Sequence, residues 1–157
     1  MDFMRVLSQK NLEAEWNNLI YAPKQLGEMS IDLTVHLILE FGSTQAAIDF
    51  GGSEYQDVKN IPISPKIGND PKYGWWELSE GSYFVHYNEK PPENGITLVF
   101  PHERLIRTGC YHPPVLFIPR ASSSQRTFLE SLLHVGPRGI RIKENARISR
   151  AITLLID

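Results

Sequence analysis

From Met29 onward the chain breaks into short β-rich segments separated by Gly, Pro, Asn and Asp, and it never settles into the strand–helix–strand alternation of a parallel sheet. Segments 31–40, 46–50, 75–78, 82–88, 96–100, 115–118, 128–134, 139–142 and 148–156 read as strands. Breaks fall at Gly51-Gly52, Asn69-Asp70-Pro71, Pro91-Pro92 through Gly95, and Gly136-Pro137. Many short strands with regularly spaced turns predict a mainly β chain, built as an antiparallel sandwich or barrel.

The exception is the N-terminus. Ser8 reads as a helix N-cap, and Leu12, Trp16, Leu19 and Ile20 fall at helical spacing on one stripe, a core-facing pattern. Pro23 and Gly27 are expected to end this single long helix. At 157 residues the chain suits one domain, with residues 1–27 as the helical segment and 28–157 as the β unit.

Composition narrows the function classes. A net charge of −2 gives no global pull toward nucleic acid or an anionic membrane, so neither is an expected partner. The basic residues are uneven: Arg120, Arg126, Arg138, Arg141, Lys143, Arg147 and Arg150 follow Pro119, against Glu130, Glu144 and Asp157. Such a third can face phosphates or simply be a solvated surface. Cys110 stands alone, the five His show no H-x-x-x-H pairing, and no apolar run approaches membrane-spanning length. A cytoplasmic, reducing setting is the expectation.

Three local patterns carry chemistry. In 98–109 an apolar strand stops at Pro101, the charged triplet His102-Glu103-Arg104 follows, and Leu105 and Ile106 anchor the segment before Arg107. In 30–36 the alternation puts Asp32, Thr34 and His36 opposite Ile31, Leu33 and Val35. Asp32 there suits a turn cap or, through its oxygens, a cation. In 136–150 a hairpin is expected whose second strand carries Arg147 between apolar neighbours, where its fork needs a carboxylate or phosphate. A second hairpin is expected through the turn 77–81 into strand 82–88.

In this order and spacing the pieces resemble the trimeric dUTPase and dCTP deaminase superfamily, especially its short archaeal-type members. Ser30-Ile-Asp-Leu33 is similar to the first motif, S-x-D-L, and Gly81 to Glu89 with Pro91-Pro92 to the strand leading into the second. Phe100-Pro-His-Glu-Arg-Leu-Ile-Arg-Thr-Gly109 sits where the family has F-P-R-S-S-L-L-R-x-G, and Asn145-Ala-Arg-Ile-Ser-Arg-Ala151 resembles G-A-R-I-A-Q. The resemblance implies a distorted, jelly-roll-like antiparallel β-barrel with one N-terminal helix, three copies around a threefold axis, a deoxynucleotide ligand and Mg²⁺. It places Arg107 and Arg147 at phosphates and Asp32 near the metal, with Asp32 and Arg107 the weak catalytic candidates.

The departures bear on activity. His102-Glu103-Arg104 replaces the family's phosphate-holding Arg-Ser-Ser, Ile118-Pro-Arg-Ala121 stands where a water-activating Asp and a stacking aromatic belong, and Arg150 replaces a Gln. A second register sets Arg120-Ala-Ser-Ser-Ser-Gln-Arg126 against the phosphate motif, with Ser122, Ser123 and Arg126 in its slots. The expectation is a dUTPase-like protein with a degenerate site. The alternatives are an active dUTP diphosphatase using Mg²⁺ and a nucleic-acid-binding or phosphodiester-cleaving protein using the basic third.

Overall fold

The computed structural model describes residues 4–119 and 128–156, and there the alternating segments become strands of two antiparallel sheets. In chain order the elements are β1 (Met4–Val6), α1 (Gln9–Glu15), α2 (Ala22–Gln25), β2 (Ile31–Phe41), β3 (Asn60–Pro62), β4 (Lys66–Ile67), β5 (Gly74–Leu78) and β6 (Gly81–Tyr87). β7 (Gly95–Pro101), α3 (Glu103–Ile106), β8 (Val115–Phe117), β9 (Glu130–Val135), β10 (Ile140–Lys143) and β11 (Arg147–Ile156) follow.

The larger sheet runs β8-β7-β11-β2-β6-β9, with β1 added beside β11 and β3 beside β2. Its two ends meet: Tyr111, just ahead of β8, exchanges backbone hydrogen bonds of 3.1 and 2.8 Å with His134 of β9. A distorted, nearly closed antiparallel barrel results, the arrangement the sequence predicts. The closure needs a bare backbone, because a Cβ on Gly136 would collide with the carbonyl oxygen of Gly109. The smaller sheet, β10-β5-β4, adds Trp76, Leu78 and Ile142 to the same core.

Alternation decides which side chains fill the barrel. On β11, Ser149, Ala151, Thr153 and Leu155 are buried, while Arg150 points out. Leu12 and Trp16 of the α1 region join the core, and Trp16 Nε1 donates to Thr153 Oγ1 at 3.1 Å.

Several local expectations are corrected. The helix stops at Glu15, because Trp16 is extended and Asn17 exchanges backbone hydrogen bonds with Lys90 at 3.0 and 2.9 Å. Tertiary pairing overrides the helical period there, and Ile20 is left exposed. Pro23 sits in the first turn of α2 instead of ending α1, a position where its missing N–H costs nothing. Segment 46–50 is not a strand: only Ala47 pairs, with Gln56, and Ile48 and Phe50 have no surface to bury against. Neither expected hairpin forms. β5 pairs with β10 and β4 while β6 pairs with β2 and β9, and β10 and β11 are likewise divided between the sheets. The turns are real, but they carry the chain from one sheet to the other. No helix among the described residues is long and apolar enough to cross a membrane.

Candidate functional site

A one-residue bulge builds the centre of the site. β11 sets Arg147 opposite Thr34 but Ser149 opposite Leu33 and Arg150 opposite Asp32, so one residue of β11 is extra. In an unbroken strand, residues 147 and 150 would point to opposite faces. The bulge turns both guanidinium groups onto Asp32. Arg147 Nη1 donates to Asp32 Oδ2 at 3.0 Å and to the Lys24 carbonyl at 3.0 Å, and Arg150 Nε donates to Asp32 Oδ1 at 3.3 Å. The carboxylate foreseen for Arg147 is thus Asp32, itself only 7% exposed.

His102 completes the cluster and is short of an acceptor. As N-cap of α3 it accepts from Arg104 N at Nδ1, 3.0 Å, so the proton of the neutral ring lies on Nε2. Nε2 is 3.4 Å from Asp32 Oδ2 but only 3.0 Å from Arg150 Nη2, which is also a donor. Burial above all holds the His102 pKa below its ordinary value; Asp32 opposes this, and Arg150, Arg104 and Arg147 reinforce it. Three donor side chains therefore converge on one carboxylate. The cluster is cationic overall and has more N–H groups than acceptors.

Beneath it, Glu89 holds the backbone in place. Its carboxyl accepts from Thr34 N at 2.7 Å, from Thr34 Oγ1 and from Gln25 Nε2 at 3.0 Å, while Gln25 Nε2 also reaches the Asp32 carbonyl at 2.9 Å. Glu89 is 1% exposed, and burial raises its pKa above the ordinary carboxylate value despite these donors.

Arg147 also lines an open cleft of about 490 Å³ between α3, β10 and the β10–β11 turn. Lys24, Arg104, Arg141 and Lys143 share this lining, with Glu144 the carboxylate among them. Glu144 is occupied in accepting from Gly74 N at 2.8 Å. Trp75 lies at the same wall with Arg141 over its ring, 4.5 Å from the centroid. Arg141 and Lys143 have carboxylate partners outside the cleft lining, Glu77 at 3.4 Å and Asp70 at 2.8 Å, and the Lys143 hydrogen bond holds the Asp70 pKa below its ordinary value. Arg104 has no carboxylate partner among the described residues.

A second polar cluster lies inside the barrel. His112 Nδ1 contacts the Pro113 carbonyl at 2.8 Å, which can only accept, so Nδ1 donates and Nε2 must accept from Ser149 Oγ at 2.8 Å. Ser149 has then spent its proton, so Tyr87 donates to it at 2.5 Å, and Ser131 donates to Tyr87 at 2.7 Å. Burial keeps the His112 pKa low and pushes Tyr87 up to about 12.

Of the residues singled out in the sequence, the structure joins Asp32 and Arg147. Arg107 is elsewhere: its side chain is 80% exposed and faces Glu103 at 3.8 Å on the same short helix. Ser122, Ser123 and Arg126 lie outside the described residues. His102 and Arg150, read in the sequence as losses from a motif, stand against Asp32. Only strand register could have revealed that, and a bulge is invisible to motif matching. Mg²⁺ does not fit this donor set. Both Asp32 oxygens face arginines, and no group of three or more His, Cys, Asp or Glu among the described residues is placed to hold a metal.

No family model matches the sequence, and no curated protein matches it. Among solved structures, 2'-deoxycytidine 5'-triphosphate deaminase from Agrobacterium tumefaciens is similar in fold, with a TM-score of 0.64 over 97% of this chain at 12% identity. The chain spans about half of that protein, 49% of its length.

Proposed function

We propose that this is a dUTPase-like, deoxynucleotide-related protein that binds a nucleotide phosphate group at the Asp32–Arg147–Arg150–His102 cluster and its adjoining cleft, with dUTP diphosphatase activity weak or absent. The observation that carries the reading is the surplus of donors: Arg147, Arg150 and His102 share the single carboxylate of Asp32, and an incoming phosphate would supply further acceptors to them and to Arg104 in the adjoining cleft. Fold similarity to a dCTP deaminase supports a deoxynucleotide as the ligand class. Against turnover stands the engagement of Asp32, which two arginines hold in a role of charge balance, leaving no free carboxylate in the cluster to activate water. The proposal includes the threefold self-assembly implied by the family resemblance.

Incubation of concentrated protein with dUTP, with and without Mg²⁺, tests the reading when paired with a binding titration. Saturable binding without diphosphate release is expected. Catalytic turnover of dUTP that vanishes in Asp32→Ala would instead establish the second reading, an active dUTP diphosphatase.

A further inference from the structure

The smaller sheet carries one ring that its alternation does not explain. Trp76 and Leu78 of β5 and Ile142 of β10 face the core, so the register gives the opposite side of the sheet to Lys66, Trp75, Glu77, Arg141 and Lys143. Charged residues suit a solvated face. Trp75 is the exception: it stands outside the core cluster, half-buried, at the wall of the cleft. Two cations frame its ring, with the Arg141 guanidinium 4.5 Å and Lys143 Nζ 5.6 Å from the centroid. The Arg141 side chain is 63% exposed. A guanidinium stacked on an indole and open to solvent makes a flat surface of the kind on which a further planar group can stack.

The cleft joins this surface to the phosphate-binding cluster. Arg147 holds Asp32 and also lines the cleft, so the two regions share one cavity. Groups that could read the edge of a base there are already engaged. Thr108 Oγ1 donates to the Leu105 carbonyl at 2.5 Å, Asn145 Oδ1 accepts from Asn88 Nδ2 at 2.9 Å, and Glu144 accepts from Gly74 N at 2.8 Å. The other polar side chains of the lining are Lys24, Arg104, Arg141, Lys143 and Arg147, cations that offer no acceptor to an exocyclic amine. Stacking needs no such acceptor, because every base has a π face.

We infer that Trp75, with Arg141 over it, is the platform on which the base of the bound nucleotide stacks, and that the site takes deoxynucleoside triphosphates without selecting the base by its hydrogen-bonding edge. Affinity then follows stacking area: a purine binds more tightly than a pyrimidine, and uracil and cytosine bind alike. This inference rests on the phosphate binding of the proposed function and adds the other end of the ligand.

The test is calorimetric titration of wild type, Trp75→Ala and Trp75→Phe with dATP, dUTP, dCTP and inorganic tripolyphosphate. Trp75→Ala is expected to weaken dATP about tenfold, on the scale of one base stacked on an aromatic ring, and to leave tripolyphosphate unchanged, while Trp75→Phe keeps most of the dATP affinity. If neither nucleotides nor tripolyphosphate bind wild type, the phosphate reading falls and this inference with it. Unchanged dATP affinity in Trp75→Ala, or an equal loss for tripolyphosphate, would overturn the platform alone. A tenfold preference between dUTP and dCTP in wild type would overturn the indifference to the base edge. If Trp75→Ala does not fold, intrinsic fluorescence of wild type decides. Trp16 and Trp76 are 3 and 1% exposed, so quenching by a ligand reports on Trp75. Quenching by dATP and not by tripolyphosphate is expected, and its absence at saturating dATP would overturn the platform.

Discussion

Two polar clusters on the same strand, β11, follow opposite rules. Ser149 points into the barrel and joins a chain in which every proton has one acceptor, from Ser131 through Tyr87 and Ser149 to His112. Arg147 and Arg150, two positions before and one after it, point out and crowd donors onto one carboxylate. A balanced, sealed network ties four parts of the barrel together and has nothing left to offer a ligand. An unbalanced cluster beside a cleft is stable only through the screening of partial exposure, and it gains from an added anion.

That contrast can be broken most severely from the inside. Tyr87→Phe leaves the Ser131 proton and a Ser149 lone pair buried without partners, which should cost about 2 kcal/mol in chemical denaturation while leaving triphosphate affinity per folded molecule unchanged. A comparable loss of affinity in Tyr87→Phe would merge the two clusters and sink the distinction. Arg147→Ala should do the reverse, weakening triphosphate binding about tenfold by calorimetry, on the scale of one charge-assisted hydrogen bond, with stability changed less than in Tyr87→Phe.

A smaller effect is the pH response of the interior. His112 has a lowered pKa in the folded state, so its stabilising contribution is present above its ordinary value of 6.5 and is lost as pH falls through the folded value. Denaturation midpoints should therefore drop on acidification below about 6.5, and His112→Gln should flatten part of that drop. Glu89 has the opposite sign. Its raised folded pKa gives a contribution that is full below the ordinary carboxylate value and is lost as pH rises through the folded one. Glu89→Gln should flatten that part of the pH dependence while lowering stability overall, because its amide nitrogen would meet the donor Thr34 N or Gln25 Nε2. Smallest of all is Arg107→Ala, which removes an exposed i,i+4 pair and should alter stability by less than about 0.5 kcal/mol and leave triphosphate affinity unchanged. A large affinity loss would restore the phosphate role that the family resemblance assigns to this residue.

Much of the barrel was legible in the sequence because inward positions on β2, β6, β7, β9 and β11 keep an apolar or small-residue alternation that survives without knowledge of partners. The division into two sheets was not legible. Turns such as Gly136-Pro137 mark where the chain changes direction, not which strand it joins, so two hairpins were expected where none exists. The site was half legible for the same reason. Arg147 needed a carboxylate and Asp32 stood free on its strand, but their meeting, and the recruitment of Arg150 and His102, depends on one extra residue in β11.

Asp32 decides between charge balance and metal chemistry, and the affinity of Asp32→Asn for dUTP measured by calorimetry, with and without Mg²⁺, separates the two. If Asp32 only neutralises Arg147 and Arg150, its removal frees both guanidinium groups. Triphosphate binding should then tighten about tenfold, by the logic of an opposite charge withdrawn from a partly exposed site, and the gain should not depend on Mg²⁺. Weaker binding in Asp32→Asn, confined to solutions containing Mg²⁺, would show that the carboxylate serves a metal and contradict a site built on surplus donors.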